Sequence, residues 1–289
     1  MARTEFKERI VVRKDLDFGL SSDDIPRYWM AGDPFKTRVF DAIQATFPDG
    51  ERFFMSSVRA FRDRIKDAEL AQEVRDFTLQ EAQHGIVHAN YNKRLKRQGI
   101  AIERFTDRVR GVMERRLKHL SPQYNLAMTA AYEHYTAMMA ELFFGEKAST
   151  EGADDRIRAL FAWHAIEEME HRAVAFDVMT QVAGVGYGLR VVAMTHVTVG
   201  FSLYSLVAPL AMLRMDGFNA RQRLRMFVKG LPWQLRIYRK LLPMLLSYYR
   251  PGFHPENERP VHNYGAWLDA YNQRQDPMEA SRAMYNAAR

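Results

Sequence analysis

Four glutamates and three histidines recur at intervals that packed helices would gather into one site. They are Glu51, then Glu81-Ala82-Gln83-His84, then Glu133, then His164 followed by Glu168-Met169-Glu170-His171. Residues three and four apart share a helix face. Glu81 and His84 therefore aim the same way, as do Glu168 and His171, and His164 joins the second stripe one turn up. A lone glutamate, Glu-x-x-His, a lone glutamate and Glu-x-x-His predict a four-helix bundle whose interior holds two metal ions.

The electrostatics agree. Four ionised carboxylates converging in a bundle interior are prohibitive without partners, and two divalent cations would balance them. The chain has no cysteine. Thiolate zinc sites, cysteine-ligated clusters and disulfides are therefore excluded, leaving oxygen and nitrogen donors that suit iron, with manganese or zinc as alternatives. The candidate ligands are Glu51, Glu81, His84, Glu133, His164, Glu168 and His171. Glu141 competes with Glu133, and Glu167 or Glu170 with Glu168. His88, four residues past His84, reads as a supporting or packing residue, and His119 and His134 lie off the stripe.

Apolar residues recur at three- and four-residue intervals almost throughout, and strand signals are scarce. Residues 1–32 read as an irregular N-terminal segment and 33–183 as the dimetal-binding bundle. Residues 184–250 form an apolar and basic helical extension packed on the bundle or a membrane, and 251–289 a C-terminal tail. Within the bundle, Asp33-Pro34 starts a helix that is interrupted at Pro48-Asp49-Gly50 and resumes over 51–66. Further helices span 68–98, 103–119, 123–145 and 154–183, with a loop at 148–153. In the tail, Trp267, Leu268 and Tyr271 could dock a last helix.

From Val191 to Leu213 there is no Asp, Glu, Lys or Arg. That length could cross a bilayer; the reading taken is a helix buried against the bundle or lying on a membrane surface. Residues 214–250 mix Arg and Lys with Leu, Trp, Phe and Tyr, which suits an anionic lipid surface. The net charge of +7 is spread among acids, and no nucleic-acid-binding signature appears, so no nucleic acid partner is expected. Residues 1–14 lack the apolar core of a secretory signal. The expected location is cytoplasmic, with peripheral placement at the inner face of the membrane left open, as is a homodimer.

At these motifs the chain resembles a known family. Phe47-Pro48-Asp49-Gly50-Glu51-Arg52-Phe53-Phe54, Gln80–His84 and Trp163–His171 look like the bacterial family named predicted metal-dependent hydrolase, over roughly 33–250. The ligand order, with His164 as a third histidine, is also similar to that of ferritin-like di-iron N-oxygenases, and dimetal fatty-acyl halogenases share a similar layout. The resemblance implies an all-α fold, a ferritin-like four-helix bundle with additional N- and C-terminal helices. It implies six common ligands (Glu51, Glu81, His84, Glu133, Glu168 and His171) with His164 additional.

Two activities fit such a site. The first is a di-iron oxygenase that activates dioxygen to oxidise a small hydrophobic substrate, drawing electrons from an external donor because no flavin or nicotinamide fingerprint is present. The alternative is a metal-dependent hydrolase using a metal-activated water. No Gly-x-Ser-x-Gly elbow supports a serine mechanism.

Overall fold

The computed structural model describes residues 9–289. The expected lack of a secretory leader rests largely on residues outside that range. Among the described residues the chain is all-α. In order the helices are α1 (Pro34–Gln44), α2 (Phe47–Arg59), α3 (Ala68–Arg97), α4 (Glu103–His119), α5 (Pro122–Phe144), α6 (Lys147–Thr150), α7 (Asp155–His171), α8 (Val174–Asp177), α9 (Tyr187–Met215), α10 (Ala220–Tyr248), α11 (Tyr264–Arg274) and α12 (Pro277–Asn286).

Local chemistry explains most boundaries. Asp33 caps α1 by accepting from the backbone N–H groups of Phe35 and Lys36 at 2.9 and 3.1 Å. Asp67 caps α3 through Leu70 N at 2.9 Å, and Ser121 caps α5 through Tyr124 N at 3.2 Å. After α3, Gly99 sits at φ +87°, a conformation costly for a side chain with a Cβ.

Several boundaries differ from expectation: the helix expected over 51–66 ends at Arg59, the loop expected at 148–153 opens inside the one-turn α6, and two further differences bear on the motifs. Pro48-Asp49-Gly50 do not interrupt a helix; they form the first turn of α2, where the missing proline N–H leaves no intrahelical bond unmade. The break lies instead at Ala45-Thr46, and Glu51 is already inside the helix. The helix carrying the last motif does not run to 183. α7 stops at His171, and the short α8 and a π-helical turn over Val178–Val182 carry the chain onward.

Helices α2, α3, α7 and α5 close a ring: α2 packs on α3, α3 on α7, α7 on α5, and α5 back on α2. Each carries part of the sequence pattern. α9 lies against α1 and α5, α10 against α5, and α12 against α7, with α11 packed on α12. The tail is thus two helices rather than one, with Trp267 fully buried and stacked on Tyr271 at 4.8 Å.

α9 is long and apolar enough to cross a membrane by length and composition, with mean hydropathy 1.6. One face buries Ala193, Met194, Val197, Met212 and Leu213, while Val192, Val199, Leu203 and Val207 are more than half exposed. The exposed leucines and valine of α10 (Leu224, Val228, Leu235, Leu242 and Leu246) recur every four or seven residues and extend the uncovered apolar surface.

Candidate metal centre

The ring of helices brings every candidate ligand to its axis. Glu81, His84, Glu133 and His171 are wholly buried, Glu51 and Glu168 almost so, and His164 is 5% exposed. Glu51 and Glu133 are therefore not surface charges. Four overlapping triads place their donor atoms within 4.8 Å of one another: Glu51–His88–His164, His84–His164–Glu168, Glu51–Glu81–His84 and Glu81–Glu168–His171. Glu133 joins through His171 Nε2, 3.2 Å from its Oε2. Glu141 is exposed on α5 and does not compete.

His88, expected as a supporting or packing residue, reaches the cluster. It stands 3.0 Å from His164 and 3.6 Å from Glu51, inside one of the triads. The four-residue step from His84 carried that signal.

Eight buried donor atoms here have no hydrogen-bond partner: both carboxylate oxygens of Glu51, Glu81 and Glu133, Nδ1 of His84 and Nε2 of His171. Native interiors rarely leave such atoms orphaned. The other nitrogens of the two histidines are engaged: His84 Nε2 donates to Glu167 at 3.1 Å, and His171 Nδ1 donates to Gln80 Oε1 at 2.8 Å. Each imidazole is thereby held with its free lone pair turned to the carboxylates, as metal-binding histidines usually are.

A second hydrogen-bond chain gives the same indication. Gln44 Nε2 donates to the His88 carbonyl and to Asn92 Oδ1, which turns its Oε1 toward His88. His88 Nδ1 donates to that oxygen at 2.5 Å, so in neutral His88 Nε2 accepts from His164 Nδ1 at 3.0 Å. Neutral His164 then presents a lone pair on Nε2 to Glu168 Oε1, 2.7 Å away. Two facing lone pairs at that distance need a proton or a metal ion between or beside them.

Burial, together with repulsion from Glu168 and Glu133, pushes Glu51 well above the usual carboxylate range. Burial and neighbouring carboxylates do the same to Glu81, and lift Glu133 to about 7. Burial also works upward on Glu168, but His164 and His171 overcome it and hold that group well below its ordinary value. His171 is raised: burial opposes its charge, and Glu133 and Glu168 outweigh burial. The four carboxylates compete for a limited supply of positive charge, which a divalent cation would supply.

Glu167 and Glu170, the competitors of Glu168, face the other way. Glu167 accepts from Trp163 Nε1 at 2.8 Å and from Arg13 at 3.0 Å; Glu170 accepts from Arg13 at 2.7 Å and from Gln80 Nε2 at 2.8 Å. Arg13, nearly buried, thus braces both histidine supports from the irregular N-terminal segment, with its guanidinium over Trp267 and Tyr271. Helical spacing could have revealed Trp163, one turn before Glu167, and Gln80, beside Glu81. Nothing local to Arg13 signals its role. His134 is structural, hydrogen-bonded to the Met244 carbonyl.

A pocket of about 40 Å³ touches the cluster at His164 and Glu168 and is otherwise lined mainly by Phe40, Phe47, Phe143, Phe161 and Met139. Phe47 meets His88 and His164 edge-on at 4.8 and 4.9 Å.

The fold and cluster define an all-α protein with a buried carboxylate–histidine site suited to metal. The chain belongs to the family described as predicted metal-dependent hydrolase, whose sequence model matches residues 12–259. No curated protein and no solved structure matches it significantly.

Proposed function

We propose that the buried cluster holds a pair of divalent metal ions and that the protein is a metal-dependent hydrolase. The eight orphaned donor atoms carry the reading, because a buried carboxylate without a partner is tolerated only where something else supplies the charge. The family description favours hydrolysis over oxygenation. Glu51, Glu133, Glu81 and Glu168, each from a different helix of the ring, would supply the carboxylates in a ferritin-like arrangement. His84, His171 and His164 would complete the donor set, with His88 holding the His164 ring through its Nδ1. Two ions held there would supply Lewis acidity for hydrolysis, or, if redox-active, electrons for dioxygen.

The chain's own residues have definite tasks. Glu167 and Gln80 fix the ring orientation of His84 and His171, and Arg13 holds Glu167 and Glu170 in place. Thr136 donates to Glu168 Oε2, fixing one oxygen of that carboxylate. Phe47 and the surrounding phenylalanines keep bulk water from the His164 side.

One observation favours the di-iron oxygenase as a second reading. The pocket reaching His164 and Glu168 is small and aromatic, a size and polarity that admit dioxygen more readily than an ester or a peptide. An iron enzyme of that kind would need an external electron donor.

Metal analysis of the purified protein, followed by ester hydrolysis and oxygen-consumption assays on the zinc-, manganese- and iron-loaded forms, tests both. Two ions per chain with hydrolysis indifferent to oxygen supports the main reading. Oxygen consumption by the reduced iron form alone supports the second. Protein that retains no metal at micromolar excess overturns both.

A further inference from the structure

A cavity larger than the one at His164 and Glu168 is lined chiefly by α4 and α9. α4 packs on α2 and α5, whereas α9 packs on α1 and α5, so the two helices leave a slot of about 810 Å³ between them. That volume is in the range of small-molecule sites. The slot follows α4 from Arg104 to Arg116, about 18 Å at 1.5 Å per residue, and is walled by Phe105, Val112, Phe201, Tyr204 and Val207.

Its charge is one-sided. Arg104, Arg108, Arg116 and Arg214 line it, and no acid does. Arg116 is engaged with Tyr132 Oη and His196 at 3.2 and 3.3 Å. His196 lies one turn before the α9 stretch that lines the slot, so Arg104 and Arg108 fall toward the end where α9 brings Arg214. These three have no ion-pair partner among the described residues. An elongated apolar wall ending in three unneutralised guanidinium groups is complementary to an apolar chain with an anionic head.

The geometry points to a binding site for a single-chain anionic amphiphile, a long-chain fatty carboxylate or its acyl derivative, with the chain along α4 and α9 and the head group at Arg104, Arg108 and Arg214. Thr46 lines the slot, and its neighbour Phe47 lines the small pocket at His164 and Glu168, so a bound chain lies close to the cluster. The site is independent of the metal reading and can be tested without metal.

The test is displacement of a fluorescent fatty acid from the full chain, with chelator present. Palmitate should displace it saturably, weakening about fourfold per methylene removed in shorter acids, and neutral hexadecanol should compete poorly. Arg108→Gln with Arg214→Gln should weaken palmitate about tenfold or more while leaving hexadecanol unchanged. Gly200→Leu fills the slot from a position where an added Cβ meets nothing within 4 Å. It should weaken both ligands at least tenfold with an unchanged melting temperature. No saturable displacement, affinity indifferent to chain length, or variants that bind as wild type overturn the site. So does binding to phosphatidylglycerol vesicles without binding to monomeric palmitate, which would make the face a bilayer contact.

Discussion

Glu167 Oε2 and His84 Nε2 lie 3.1 Å apart, and this contact determines which nitrogen of His84 faces the carboxylates. The other oxygen of Glu167 is held by Arg13 and Trp163, so three side chains from two distant segments orient one imidazole. Losing such a support typically costs 10–100-fold in metal affinity. Glu167→Gln and Arg13→Gln should each weaken divalent metal binding by about tenfold or more, with both proteins still helical. Competition with a chromogenic chelator measures this, and unchanged affinity in both would remove Glu167 and Arg13 from the site.

The carboxylates make the opposite prediction for the metal-free protein. Glu133→Gln removes one of four mutually repelling groups, at a position where burial and Glu168 already lift the carboxyl to about 7. It should abolish tight binding of one ion, yet raise the melting temperature of the chelated protein by a few degrees. A ligand residue separates these two effects; a residue that merely packs would lower both. Calorimetry on chelated and metal-loaded samples distinguishes them.

The bundle was legible because its signals are local. The Asp33 and Ser121 caps, the Gly99 stop and the three- and four-residue spacing of Glu81–His84 and His164–His171 each act within one or two turns. The seven candidate residues consequently are all buried within the ring. What was not legible depends on distant partners. The neighbours of His88 could not be read locally, because only the folded ring brings Glu51 to it from another helix. Arg13 sits in a segment with no periodicity, and its role comes from residues about 150 positions away. The end of α7 at His171 was missed because apolar residues continue through Ala173–Val178 at helical spacing, and periodicity does not distinguish a continuous helix from one broken into a short helix and a π-turn.

The acid–base balance sets a pH trend. Glu51, Glu81, Glu133, Glu167 and Glu170 are all raised, first by burial, and His171 is raised by Glu133 and Glu168 against burial. A group raised in the folded state stabilises below its unfolded pKa, and that contribution is lost as pH rises through the folded value. The depressed groups, Glu168, His84 and His88, act below about pH 6.5. Above that, only the raised groups count. The chelated protein should therefore lose stability from about pH 6.5 to 8.5, through the value near 7 of Glu133 and Glu167. Metal-loaded protein should resist the loss, because ions bind the deprotonated ligands. Parallel melting curves in both states across that range would refute the charge argument.

On the outer face, α9 and α10 present apolar stripes beside basic residues, the composition of a helix pair that lies on anionic lipid. Val199 and Leu203 are both more than half exposed and do not line the amphiphile slot, so changing them tests this face alone. Each apolar side chain buried in a membrane contributes about 1.5–3 kcal/mol. Val199→Glu with Leu203→Glu should therefore reduce co-sedimentation with phosphatidylglycerol vesicles at least a hundredfold, while palmitate binding is retained. Added salt should weaken the wild type as the lipid attraction is screened. Wild-type protein that stays entirely in the supernatant at low salt would overturn the lipid contact.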